Sequence, residues 1–301
     1  MAERISFEDE ITKNKIKSFI LMVIVFVMII LLGMLISYVV DPGLFFVFTI
    51  FATIFSIGYI IVGYYNSDKI ALASVRAKPA SSIEHKNFIN SVENMAIASG
   101  LPMPKVYVME SEQINAFASG RDPRHAVICV TSGAIKKLNK QELEGVIAHE
   151  MAHIANFDIR FITLTAVLVG MISIVAQMFL RSLWFGGKSN SRDGRGNAVL
   201  MIVAIIAAIL APIVAQLVQL AISRKREYGA DATGVKFTRY PQGLKKALEK
   251  IKGESVSQED FKKYNKAVAP LFISDPFKKK IQNLFSTHPP IEMRIKKLEQ
   301  M

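Results

Sequence analysis

One cysteine in 301 residues, Cys129, removes a disulfide framework from consideration. It sits in the apolar, strand-like run Ala126 to Val130 and reads as a small buried residue, in keeping with a reducing compartment. The same scarcity argues against a structural zinc site, because such sites usually fill all four positions with protein ligands, commonly cysteine. Basic residues clustered with aromatics on a soluble fold are also missing, so the net charge of +12 is not a nucleic-acid footprint. No internal repeat is present. The one low-complexity segment, rich in Gly, Ser and Asn from Gly186 to Asn197, reads as a flexible loop.

Charge is absent altogether from four long apolar runs, Phe19 to Val40, Leu44 to Tyr65, Phe161 to Leu180 and Ala198 to Ile222. Each is near or above the roughly 20 residues that cross a bilayer core as a helix. Four transmembrane helices follow, since buried helices of soluble proteins rarely run that far without a charge. The first run is too long for a signal-peptide core, has no small-residue cleavage site after it, and turns at Asp41-Pro42-Gly43 straight into the second. It stays as an anchor. Lys13, Lys15 and Lys17 before the first run and Lys69, Arg76 and Lys78 after the second place the N-terminus and the segment beyond Tyr65 in the cytoplasm. Around runs three and four basic residues occur on both sides, so there the pairing of runs decides. Juxtamembrane charge facing anionic lipid accounts for the basic balance.

The chain thus divides into 1–65, a tail with two membrane helices; 66–160, a first soluble stretch; 161–222, two more membrane helices; and 223–301, a second soluble stretch. In the first, Ser81 to Ser99 reads as an amphipathic helix with Ile83, Phe88, Val92, Met95 and Ile97 on one face, ending at Gly100. The period then changes to two. Lys105 to Met109 and Ala126 to Val130 are strands, with Asn115-Ala116-Phe117-Ala118 as a third at a sheet edge, where an extended peptide can pair. Taken alone, Asn115 reads as an ordinary turn residue.

Asn139, with Glu142 three positions on, reads as an N-cap and capping box for the helix that carries Ala148-His149-Glu150-Met151-Ala152-His153. Four residues apart, His149 and His153 leave the same helical face about 6 Å from each other, a spacing that suits one zinc ion. Glu150 lies on the neighbouring edge, where it can reach a water without displacing it. Chance produces such a hexapeptide occasionally, so corroboration must come from elsewhere. It comes after the second membrane hairpin, which returns Glu227 and Asp231 to the side of the histidines. Four apart on one helix, they offer a third ligand and a supporting partner, although a salt bridge of Glu227 with Arg224 or Arg226 is equally open. Near the C-terminus, His288 is held by Pro289 and Pro290 before a final helix, as an oxyanion donor or as a helix cap. His85 and His125 have no partner at metal spacing and read as surface residues.

With these residues in place, the chain resembles the HtpX family of membrane-embedded zinc metalloproteases, relatives of the CAAX prenyl proteases. The resemblance runs from the first membrane run to the C-terminus and rests on four motifs in order: Asn115 to Ala118, Ala148 to Asn156, Ser223 to Asp231, and Thr287 to Pro290. It implies an α+β membrane protein with four transmembrane helices and a zincin-like cytoplasmic catalytic domain, mostly α with a small sheet. It further implies one zinc ion bound by His149, His153 and Glu227, Glu150 as general base, and Asp231 bracing a ligating histidine. His288 with Arg294 would face the substrate carbonyl, and Asn115 to Ala118 would pair with substrate. Misfolded or damaged membrane proteins at the cytoplasmic face of the cell membrane are the implied substrates, in quality control and stress response. Phe157 and Gly229 depart from the family pattern, standing where a glycine and a bulkier residue are expected.

Three rivals remain. A processing protease for lipidated peptides is disfavoured by having only four membrane runs. A scaffold with structural zinc is disfavoured by the lone cysteine. A transporter would carry charged or broken-helix binding residues within its spans, and only Pro212, Gln216 and Gln219 interrupt the fourth run.

Overall fold

A computed structural model describes residues 45–163, 224–254, 272–273 and 289–301, with isolated positions between 12 and 34. Run three beyond Thr163, all of run four, the loop from Gly186 to Asn197 and His288 lie outside the described residues, as does most of the first run. The second run is helix α1, Phe45–Tyr65. Apolar side chains such as Phe46, Ile50, Phe51, Ile54, Phe55 and Val62 stand exposed along it. Among the described residues no single helix is long and apolar enough to cross a membrane. The pair Thr49–Tyr65 and Ser67–Ser74, bent by 77°, passes that test together by length and composition.

Helix α2, Ser67–Ser74, leads to strand β1, Lys78–Pro79, and to helix α3, Lys86–Ser99. Gly100 ends α3 at φ 70, the left-handed cap that glycine takes without strain, and Leu101 N–H closes back on Ala96 O. Phe88, Val92 and Met95 are buried as the periodicity predicts, but Ile83 and Ile97 are 90% and 76% exposed. Ile83 falls in the turn before α3, because the helix starts at Lys86, and Ile97 lies two residues past Met95, rotated off the buried face.

Strands β2 (Lys105–Met109), β3 (Ala116–Gly120) and β4 (Ala126–Thr131) complete a sheet of order β1-β2-β4-β3. β2 runs parallel to β4, and β3 pairs antiparallel with β4 in the register Ala116 with Val130 and Ala118 with Ile128. The third strand therefore lies at a sheet edge, as its motif predicts, and every residue of it is buried. Cys129 is fully buried on β4, and that burial pushes its thiol up, so it is inert packing.

Helix α4, Ser132–Lys137, precedes α5, Lys140–Ala155. The capping box forms as read: Glu142 N–H donates to Asn139 Oδ1 at 2.9 Å and Asn139 N–H to Glu142 Oε2 at 2.8 Å. Every residue of α5 from Gly145 to Ala155 is buried, because α3, the sheet, α6 (Arg224–Thr238) and α7 (Pro241–Gly253) surround it. Glycines set the approach. A Cβ on Gly145 would meet Leu244 N at 2.4 Å, and one on Gly234 of α6 would meet the Ala148 carbonyl carbon and His149 N at 3.1 Å. Helix α8, Ile291–Leu298, closes the described chain against α7 and α6.

The end of α1 is tied to the β3–β4 hairpin. Arg121 donates to Tyr65 O at 3.3 Å and lies over the Tyr65 ring, while Arg160 stacks on Tyr64 and Phe157 and donates from Nε to Arg121 O at 2.8 Å. Helix α1 and the sheet edge are thereby one unit.

Candidate active site

His149 and His153 leave the C-terminal half of α5 one turn apart, their rings at 87° with centroids 4.7 Å apart. Their Nε2 atoms are 3.2 Å from each other. Glu227, on the first turn of α6, points both carboxylate oxygens at them, Oε2 at 3.6 Å from His149 Nε2 and Oε1 at 3.6 Å from His153 Nε2. One ligand atom from each of the three residues falls within 4.8 Å of the other two, all buried. A tetrahedral metal with nitrogen bonds of about 2.0–2.1 Å sets two nitrogens roughly 3.3–3.4 Å apart, so the imidazole pair fits such an ion.

The opposite nitrogens are held by carboxylates. His149 Nδ1 is 2.9 Å from Asp231 Oδ1, and His153 Nδ1 is 3.1 Å from Asp158 Oδ2. A proton kept on each Nδ1 leaves both Nε2 lone pairs facing the same point. Asp231 is itself gripped by Arg294 of α8, which donates from Nε to Oδ2 at 2.9 Å and from Nη2 to Oδ1 at 2.7 Å, with both residues 2% exposed or less. Arg226, one of the two alternative partners of Glu227, stacks on Phe161 with 4.6 Å to the ring centroid.

The electrostatics follow from burial and neighbours. Burial pushes His149 down, Arg294 adds to that and Asp231 opposes it, leaving the imidazole at about 4. Burial acts the same way on His153, but Asp158, Glu227 and Glu150 outweigh it and raise the group to about 9. Burial also raises Glu150, with Glu227 adding to it, to about 7, while His153, a hydrogen bond from the Ala118 amide and Arg294 pull the other way. For Asp231, burial is overcome by Arg294 and His149, which hold its carboxyl well below the usual range.

The structure brings His149, Glu150, His153, Glu227, Asp231 and Arg294 into one buried cluster, with β3 beside Glu150. Asn115 sits at the start of β3, its N–H donated to Thr131 Oγ1 and its Oδ1 accepting from Ala116 N–H, a local bond of the Asx type. His85 accepts from Ser81 N–H, and His125, half exposed, pairs with Asp122 at 2.7 Å. Asp158 is the residue that sequence reasoning missed. Its signal was local: Phe157 takes φ 58, and this left-handed step folds the chain back so that Asp158 reaches the histidine five residues earlier. The same backbone need explains the glycine expected at 157.

A buried carboxylate, Glu150, next to a trio of metal-ready donors is a set that fits metal-dependent hydrolysis. Residues 82–301 match Peptidase family M48. A protease HtpX homolog of Caldanaerobacter subterraneus subsp. tengcongensis is 46% identical over 255 residues, 84% of either chain. Another, from Dictyoglomus thermophilum, is 41% identical over 296 residues, 98% of this chain and 95% of the relative. The crystal structure of S. mikatae Ste24p aligns with a TM-score of 0.49 at 18% identity, over 95% of this chain and 65% of that one. The chain belongs to peptidase family M48.

Proposed function

We propose that this chain is a zinc-dependent endopeptidase of the cell membrane that cuts damaged or misfolded membrane proteins at the cytoplasmic face. The observation that carries the reading is the convergence of His149, His153 and Glu227 within 4.8 Å, directly beside Glu150 and the sheet edge. Four membrane helices, with the catalytic halves 66–160 and 223–301 on one side, are supported by the four uncharged runs and by the apolar side chains exposed along α1. The ties of Arg121 and Arg160 to Tyr64 and Tyr65 support a site close to the bilayer surface.

His149, His153 and Glu227 would hold the zinc, with Asp158 and Asp231 orienting the imidazoles and Arg294 orienting Asp231. Zinc bound there supplies Lewis acidity, which makes a water nucleophilic and polarises a carbonyl. Glu150 takes the proton of the attacking water and returns it to the leaving amine, a contribution of about 10²–10⁴ in rate. Its burial keeps competing water away. Asn115 to Ala118 align the substrate backbone as an added strand. His288 donates to the developing oxyanion.

The test is cleavage of a membrane-protein substrate by purified protein in detergent, with zinc, with chelator, and by Glu150→Gln. Activity that needs zinc and disappears in a variant still binding one zinc is expected. A Glu150→Gln protein as active as the parent would sink the mechanism. Cleavage of prenylated peptides in preference to membrane proteins would overturn the substrate class.

A further inference from the structure

One outward-facing carbonyl of the edge strand is already taken. Ile273 N–H donates to Ala116 O at 2.9 Å, which is the hydrogen bond an added strand makes. The Ile273 carbonyl in turn accepts from Arg294 Nη1 at 3.2 Å, and the same guanidinium lies 3.5 Å from Glu227 Oε2. Phe272 sets its ring edge-on against Phe117, centroids 5.5 Å apart at 82°. Its side chain joins the cluster of Leu72, Val75, Met109 and Cys129, whereas Ile273 joins the cluster containing Ala116 and Ile128, so the two side chains leave opposite faces as in a strand. Both residues are 2% exposed or less.

Two groups assigned to substrate by the sequence, the Ala116 backbone and Arg294, thus both hold one dipeptide of the chain itself. The geometry points to Phe272–Ile273 as an internal occupant of the strand-addition groove, one that a substrate must displace. This rests on the endopeptidase reading above. The ligand chemistry follows from what is displaced: an extended peptide with bulky apolar side chains at two successive positions, one for the Phe117 side and one for the Ile128 side. Folded proteins do not present such segments, and unfolded ones do.

The experiment is steady-state cleavage of unfolded casein by the full chain in detergent, parent against Ile273→Pro, which deletes the donated N–H. Loss of one competing hydrogen bond lowers KM by about fivefold with kcat unchanged. An unchanged or raised KM in a variant with the parent's melting temperature overturns the proposal. Should Ile273→Pro fail to fold, hydrogen exchange decides on Glu150→Gln saturated with casein. There the Ile273 amide exchanges faster than in the free protein, and unchanged protection overturns the idea. Casein left intact by a parent that does cleave the membrane-protein substrate overturns the proposal, and a zinc-loaded parent that cleaves neither overturns the endopeptidase reading instead.

Discussion

Asp158 reaches back to His153, Oδ2 to Nδ1 at 3.1 Å, across a turn that only a left-handed residue at 157 permits. The carboxylate fixes which nitrogen of His153 carries the proton, and so which one faces Glu227. Asp158→Asn keeps the shape and removes the charge. Zinc affinity is expected to fall by about 10–100-fold, as for other carboxylates behind metal-binding histidines. Competition with a chromophoric chelator measures this, and an affinity equal to the parent's would show that Asp158 serves only the turn.

Phe157 itself holds φ 58, where a side chain costs about 1–2 kcal/mol and glycine costs little. Its ring offsets part of that by lying 5.5 Å from the Arg160 guanidinium. Phe157→Ala loses the ring contact and keeps the strain, whereas Phe157→Gly loses both. The glycine variant is expected to be more stable than the alanine variant by about 1 kcal/mol. Thermal melts of the two in the same detergent decide, and an alanine variant equal to or above the glycine one would place the strain elsewhere.

What could be read from the sequence was what short spacing encodes. The capping box at Asn139 and Glu142, the shared face of His149 and His153, and the one-turn step from Glu227 to Asp231 all follow from helical geometry over four residues or fewer. Asn115 to Ala118 was legible as an edge because its strand pattern stood beside a stronger one. Other contacts span too much chain for any period to report. The Asp231–Arg294 pair joins residues 63 apart, and the Ile273 to Ala116 bond joins a dipeptide without a pattern to a strand far upstream. The parallel pairing of β2 with β4, which leaves β3 at the edge, likewise joins strands about twenty residues apart whose order no period reports.

Arg294 is fully buried with two hydrogen bonds to Asp231. Arg294→Met leaves a carboxylate in the core with its main counter-charge gone, and removing one partner of such a pair costs about 3–5 kcal/mol. Asp231→Leu leaves the converse. The double variant is expected to be less destabilised than the sum of the singles by at least about 2 kcal/mol, read as a double-mutant cycle from denaturant melts. Strict additivity would mean that the pair contributes nothing as a pair.

Gly145 and Gly229 make opposite demands on an added methyl group. On Gly145 the Cβ would meet Leu244 N at 2.4 Å and the Gly243 carbonyl carbon at 2.8 Å, both backbone atoms that no rotamer change can clear. Gly145→Ala must therefore push α7 from α5, which costs about 1–3 kcal/mol in a packed core. Because His149 lies one turn further along the same face, the displacement also reaches the proposed zinc ligands, so a fall in zinc affinity should accompany the lower melting temperature. On Gly229 the Cβ meets nothing within 4 Å, so Gly229→Ala gains helix propensity of about 0.8–1.0 kcal/mol with no clash. The position takes a larger side chain without moving Glu227 or Asp231 on the same helix. Gly229→Ala is thus expected to melt above the parent and Gly145→Ala below it, with zinc affinity changed only in the latter. A Gly145→Ala protein as stable as the parent would mean that α5 and α7 do not touch backbone to backbone.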